Sequence, residues 1–401
     1  MGPAPATAFA LLEQIFWVGF DRLAGPVQSR LDGVPLSVAQ VDVDWVGEAL
    51  QGAFSGAVVE QVERLGGHSG TTTRETLKVL VSGNRSLAVP STFFLKITPE
   101  KFSTRLFTTL LGLGSSEVAF YRSLGDRLPI RVPRVYCARH ARRGGRFVLL
   151  MEDLASAGAR FTTSAKPVSL DEARAVMTTL GRLHAAYWES PELDDDLAWL
   201  RSPENNPTRG FEWWLSARSN QPALARFRDV VPDRVRENAH RIHAARPLLE
   251  AHWAALPRTL IHGDPHSGNL YFQDGEVGFF DWQVVQAGHG LRDVSYFLLN
   301  SMDTPLRRSQ ERTLIEHYLA VLTENGVAAP SAAAAWEEHR LFALYAWIAI
   351  SVTAATAGLQ DQEIVARAIE SVGQGVEDLD SFAALDDLVS RVPERERTHG
   401  G

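Results

Sequence analysis

The sequence predicts an α+β protein in which a strand-rich segment is followed by a mostly helical one. Two observations carry that expectation. Short runs of β-branched and aromatic residues cluster between Val58 and Met151, broken by glycine-containing turns. From Ser169 onward, apolar residues recur at helical spacing instead. At 401 residues, with 45% hydrophobic and 22% charged content, the chain is long enough for two domains or one large bilobal one.

Taken in order, residues 7–24 carry apolar side chains at helical spacing (Phe9, Leu12, Phe16, Phe20, Leu23), and a second short helix is expected from Asp42 to Phe54. These make a helical preface, residues 1–56. Strands are then expected at Val58 to Leu65, Glu75 to Val81 and Thr92 to Ile97, joined by the glycine-rich Gly66 to Thr73 and by the turn Ser82 to Arg85. A helix at Ser115 to Leu124, a strand around Val135 and another at Arg146 to Met151 complete a first lobe, residues 57–152. In the second, residues 153–391, Ser169 and Glu172 form a capping box, and Ala173, Val176, Met177, Leu180, Leu183 and Tyr187 the apolar stripe behind it. Ser331 to Ala335 reads as a helix start. Residues 392–401 are expected to be a polar, flexible tail.

Composition narrows the function classes. A net charge of −8 argues against nucleic acid as a partner, because neutralising phosphates needs a basic face. One cysteine, Cys137, excludes an intrachain disulfide framework and fits a reducing, cytoplasmic setting. The apolar run Ala8 to Phe20 is interrupted by Glu13 and Gln14 and lacks a basic flank, so neither a signal peptide nor a membrane span is expected.

The chemistry concentrates in Leu260 to Phe272, L-I-H-G-D-P-H-S-G-N-L-Y-F, and in Asp281-Trp282-Gln283. Asp274-Gly275 between two apolar runs predicts a two-residue hairpin with positive φ at both residues. That register pairs 272 with 277 and 269 with 280, bringing Asn269 and Asp281 to the open end. An amide carbonyl and a carboxylate are hard oxygen donors of the kind Mg²⁺ takes while holding substrate phosphates. Asp264, in the loop entering the hairpin, is suited to accept a proton from an attacking hydroxyl.

His262-Gly263-Asp264, Asn269 and Asp281 resemble the H-G-D-x-x-x-x-N…D signature of the aminoglycoside phosphotransferase and choline kinase group, which is similar to elements of protein kinases. The resemblance covers roughly Val58 to Met302. Within the group, Glu152-Asp153-Leu154, Leu183 to Trp188 and Asp281-Trp282-Gln283 resemble the ecdysteroid kinase-like branch most. It implies a protein-kinase-like bilobal fold, with a small antiparallel-sheet N-lobe and a large, mainly helical C-lobe, and an ATP- and Mg²⁺-dependent transfer to a hydroxyl of a small molecule.

Position by position, the resemblance implies Asp264 as catalytic base and Asn269 and Asp281 as Mg²⁺ ligands. Lys96 would hold the α- and β-phosphates, oriented by Glu117. The turn residues Gly67, Ser69, Gly70 and Thr71 would cover the phosphates, and Glu152 and Leu154 would meet adenine. His262 and Asp293 would support the catalytic loop, Asp293 also being expected as the N-cap of the next helix. The turn is not G-x-G-x-x-G, Gln283 stands where protein kinases have glycine, and no A-P-E-like element follows. A small-molecule kinase is favoured over a protein kinase on these grounds.

Two other readings compete. A catalytically silent nucleotide-binding protein of the same fold would bind ATP and phosphorylate nothing, and a metal-dependent hydrolase would use His262, Asp264 and His266. The ten tryptophans, Trp188, Trp213, Trp214, Trp253 and Trp347 among them, suit core packing better than an aromatic cage for a quaternary ammonium. The acidic residues from Glu377 to Asp387 suit a solvated helix face better than an aminocyclitol site. The acceptor and the oligomeric state are left open.

Overall fold

A computed structural model describes residues 5–83, 88–163, 166–202, 205–206, 208–356 and 360–391. The expected tail and the second half of the Ser82 to Arg85 turn lie outside them. The chain divides into two compact units, Met1–Arg160 with Phe279–Val284, and Phe161–Gly278 with Val285–Gly401. The preface is therefore part of the first unit, and a six-residue piece around Asp281 returns to it.

In the first unit, helices α1 (Pro5–Asp32) and α2 (Val43–Leu50) precede strands β1 (Ala57–Ser69), β2 (Thr73–Gly83) and β3 (Thr92–Ile97). Helices α3 (Phe102–Leu110) and α4 (Leu113–Ser123) and strands β4 (Val135–His140) and β5 (Phe147–Glu152) follow. The five strands form one antiparallel sheet in the order β1-β2-β3-β5-β4.

Alternation within the strands puts Leu77, Val79, Phe93 and Leu95 into one core, and α2 buries Trp45, Val46 and Leu50 in the same core. Asp42 starts that helix by accepting the Trp45 amide at 2.9 Å. Helix α1 is tied in by charge. Arg146, at the entry to β5, donates to Asp21 at 2.8 Å and to Asp32 at 2.6 Å, and Asp21 also pairs with Arg105.

The second unit contains strands β6 (Arg160–Phe161), β7 (Thr259–Ile261), β8 (Leu270–Gln273), β9 (Glu276–Phe279) and β10 (Gln286–Gly288), apart from Arg160 and Phe279 at the ends of β6 and β9, which belong to the first unit. Its helices are α5 (Leu170–Ala186), α6 (Arg209–Arg226), α7 (Asp233–Ala244), α8 (Arg246–Ala254) and α9 (Leu291–Ser301), then α10 (Thr304–Glu324), α11 (Ala332–Ala355), α12 (Gln362–Asp378) and α13 (Ser381–Arg391).

Trp347 of α11 lies in the middle of a core shared with α6, α7, α12 and α13, which is where the structure spends that tryptophan. The α5 capping box forms, Ser169 Oγ accepting the Glu172 amide and Glu172 Oε2 the Ser169 amide. Asp274 and Gly275 link β8 to β9 with φ of 52° and 80°, as a two-residue turn of this kind requires.

The glycine-rich turn differs from expectation. Strand β1 continues through Gly66, Gly67, His68 and Ser69, and only residues 70–72 turn. Gly67 opposes Glu75, and a Cβ there would collide with the Arg74 carbonyl oxygen, so the close pairing needs glycine. Gly66 has φ of 121° beside a register shift, and its amide donates to the Glu75 carboxylate at 2.8 Å.

Candidate active site

The first unit brings Lys96, Glu117 and Asp281 together. Lys96 sits in β3 with 3% of its side chain exposed, a position that is costly for an unpaired ammonium. Its Nζ lies 2.8 Å from one Glu117 oxygen and 2.7 Å from the other, and 2.8 Å from Asp281 Oδ1. Glu117 projects from α4 and is fully buried, and burial raises its carboxyl to about 7 against the opposing pull of Lys96. Asp281 reaches the group because Trp282 beside it stacks on Phe120 of α4, ring centroids 4.1 Å apart. Its φ of 67° is left-handed, a conformation aspartate tolerates better than most residues.

Arg74, one residue into β2, is a member that sequence reasoning missed. Its Nη2 lies 3.0 Å from Asp281 Oδ2, so both oxygens of that carboxylate face cations. No sequence signal marked it: Arg74 stands among Thr72, Thr73, Glu75 and Thr76, just outside the strand expected from Glu75 to Val81, whereas Lys96 interrupts an apolar run. Of the turn residues, Gly67 and Ser69 lie in paired strand, and the Gly70 amide is directed to the Thr72 carbonyl at 3.0 Å. Glu152 ends β5 with its amide donating to the Arg134 carbonyl, and the Leu154 carbonyl accepts from Ala159. The Glu152 carbonyl and the Leu154 amide are the groups these two could offer a base edge.

The second unit brings Asp264, Asn269, His262 and Asp293 together. Asp293 is a buried residue of the first turn of α9, whose N-cap is Gly290, so the expected N-cap role is corrected. The helix begins earlier because Gly290 has helical backbone angles, and the Asp293 carboxylate is directed away from its own helix end. One oxygen takes the His262 amide at 2.7 Å, the other takes Gly263 at 2.9 Å, and His184 Nε2 lies 3.5 Å away. Burial opposes ionisation there, and the His184, His262 and Gly263 interactions outweigh it, holding the carboxyl below its ordinary value.

Gly263, with φ of 86°, turns the chain so that Asp264 follows, its amide donating to His262 Nδ1 at 3.2 Å. Asn269 Nδ2 donates to the Asp264 carbonyl at 2.9 Å and to its carboxylate at 3.2 Å, which leaves the Asn269 carbonyl oxygen as its ligand-type atom. Tyr296, a second residue missed from sequence, lies near the Asp264 carboxylate, and burial together with that negative charge raises its phenol well above the usual range.

His266 caps a short 3₁₀ turn by accepting the Gly268 amide, and its Nε2 lies 3.6 Å from the Asp264 carboxylate. No group of three His, Cys, Asp or Glu side chains among the described residues is disposed to hold a metal ion. His262, Asp264 and His266 are therefore not arranged as the hydrolase reading needs.

The model of the phosphotransferase enzyme family known as APH matches residues 81–336, more than half of the chain. The chain belongs to that family. Solved structures with a similar fold include choline kinase LicA from Streptococcus pneumoniae, 14% identical over 84% of this chain and 98% of that one, with a TM-score of 0.46. A Plasmodium vivax ethanolamine kinase is 12% identical over 78% of this chain and 82% of that one, with a TM-score of 0.47. Macrolide 2′-phosphotransferase MphH from Brachybacterium faecium is 14% identical over 82% and 97%, with a TM-score of 0.40. No curated protein matches. Among the described residues of this phosphotransferase-family chain, no helix is long and apolar enough to cross a membrane.

Proposed function

We propose that the protein transfers the γ-phosphoryl group of ATP to a hydroxyl of a small molecule in a Mg²⁺-dependent reaction. The observation that carries this reading is the buried Lys96 held by Glu117 at 2.8 Å and by Asp281 at 2.8 Å. A lysine so paired inside a strand is expensive to maintain for packing alone, whereas phosphate oxygens give it a use.

The donor chemistry fits the ion. Asp281 is a carboxylate already drawing two cations, and Asn269 offers a carbonyl oxygen, both of the hard type that Mg²⁺ prefers. Asn269 and Asp281 would hold the ion, which when bound would supply positive charge to offset the negative charge that develops during transfer. Lys96 would bind the α- and β-phosphates, with Glu117 fixing its position. Gly67, Ser69, Gly70 and Thr71 would border the phosphates, and the Glu152 carbonyl and Leu154 amide the adenine edge. Asp264 would accept the acceptor's hydroxyl proton while the acceptor oxygen bonds to the γ-phosphorus and the bond to ADP breaks. His262 and Asp293 would hold the loop that presents Asp264. The likeness to the ecdysteroid kinase-like branch belongs to the same proposal.

Asp264→Asn tests it. Removing the base should lower turnover by about a thousandfold while stabilisation by a non-hydrolysable ATP analogue in a thermal-shift assay persists. Unchanged turnover would sink the assignment, and nucleotide binding without any transfer by the unaltered protein would point to the silent reading.

A further inference from the structure

Helix α1 packs on the first unit with one side and presents apolar side chains on the other. Val18, Asp21, Gly25 and Ser29 are buried at helical spacing, whereas Leu12, Phe16, Phe20, Val27 and Leu31 are 40–82% exposed. At 3.6 residues per turn these five fall within about 60° of the direction opposite the buried four, where a surface helix ordinarily carries polar residues. We infer that this face is an interface, and that its partner is a second copy of this chain, bound through α1 in antiparallel orientation.

The outward direction of the face is fixed by what the other side holds. Asp21 is 2% exposed, accepts from Arg146 at 2.8 Å and also pairs with Arg105, and Gly25 lets the helix approach Leu36, which a Cβ there would meet at 3.1 Å. On the outer side Phe16 stacks on Phe20, ring centroids 6.0 Å apart, and Trp17 meets both edge-on with the Arg143 guanidinium over its ring. Of the eleven large apolar side chains exposed among the described residues, six lie on this one helix, Ile15 being the sixth. Single exposed apolar residues need no explanation, but a cluster of this kind marks a contact surface.

Area and spacing favour a second copy. At those exposures the five side chains present about 600 Å² of surface, as much as the largest patch on an ordinary monomer. A standard interface buries about 800 Å² per partner, a little over half of it apolar, so the face is large enough for one. The stripe is also self-complementary. Leu12 and Leu31 are centred on the same point as Phe16 and Val27, between residues 21 and 22. A two-fold axis there sets Leu12 against Leu31 and Phe16 against Val27 of the second copy, and such an isologous pair closes at two. A lipid surface fits less well. The exposed charges bordering the stripe are Glu13 and Arg30, one of each sign, whereas a membrane-seeking helix carries a basic flank.

Sedimentation velocity of the full chain, from about 1 to about 100 μM, should show a dimer with a Kd of about 10 μM or tighter. Leu31→Glu should raise that Kd at least about a hundredfold, because the two-fold axis buries the new carboxylate twice. It should leave the folded monomer intact, since Leu31 is 82% exposed. A short bis-maleimide reads the orientation, the native Cys137 being buried. Leu12→Cys combined with Leu31→Cys in one chain should give covalent dimer, and either substitution alone should give none. A monomer across the whole range, a dimer indifferent to Leu31→Glu, or cross-linking through Leu12→Cys alone would overturn the inference. So would a monomer that sediments with phosphatidylserine vesicles in place of pairing.

Discussion

Arg74 and Lys96 stand directly opposite one another on the paired strands β2 and β3, and both reach the Asp281 carboxylate, at 3.0 and 2.8 Å. Opposed residues of an antiparallel pair point to the same face, so the pairing itself sets two cations side by side. Like charges at that spacing repel, and Asp281 offsets the repulsion.

On the proposed reading, in which Asp281 holds a divalent ion, Arg74 would compete for the oxygen that the ion takes. Arg74→Gln should raise the affinity of the nucleotide-free protein for Mn²⁺. The side chain is about a third exposed, so solvent screening limits the gain to roughly 1 kcal/mol, about fivefold. Electron paramagnetic resonance of free Mn²⁺ measures it. Equal or weaker binding would show that Arg74 supports the site more than it competes with the ion.

Glu117 predicts a pH dependence. Burial raises its carboxyl from 4.5 to about 7, Lys96 pulling the other way and Asp281 adding to the rise. Between those pH values the folded chain holds a proton that the unfolded chain has lost, so stability falls as pH rises from about 4.5 to about 7, with a slope of at most about one proton. Glu117→Gln cannot titrate and should flatten that slope in urea denaturation followed across the range. Parallel curves for the two proteins would refute it.

Asp293 carries the opposite sign. Its carboxyl is held below the ordinary 3.8, so the stability it contributes is fully present above about that pH and is lost only on further acidification. Asp293→Asn should cost on the order of 3 kcal/mol at any pH from 5 to 8, because the His262 and Gly263 amides lose a charged acceptor. The deficit should shrink below pH 4. Denaturation midpoints at pH 7 and pH 3.5 give the comparison, and a deficit that grows on acidification would contradict it.

The preface should prove structural. Arg146 is 1% exposed and joins Asp21 and Asp32 of α1 to the start of β5. Arg146→Met should destabilise the protein by about 2 kcal/mol, because the buried Asp21 carboxylate keeps only Arg105 and Asp32 loses its tie to the start of β5. The nearby exposed Arg142→Met should change little. Equal effects in the two variants would detach α1 from the fold of the first unit.

What sequence alone determined is whatever local pattern encodes. Alternation and turn chemistry marked the strands and the Asp274-Gly275 hairpin, the Ser169–Glu172 box marked the start of α5, and the order Lys96, Glu117, Asp264, Asn269, Asp281 marked the candidate site that the proposal uses. Tertiary structure decided which charges meet. Arg74 is an unremarkable strand residue until β2 pairs with β3, Tyr296 an ordinary helical aromatic until α9 sets it against Asp264, and Asp293 a helix cap until Gly290 starts the helix three residues earlier. Residues 279–284 join the first unit because Trp282 stacks on Phe120, a contact across more than 160 positions that no local pattern encodes. Spacing along a chain reports neighbours within a turn or a strand pair, whereas ion pairs and ring stacks depend on packing between segments far apart in sequence.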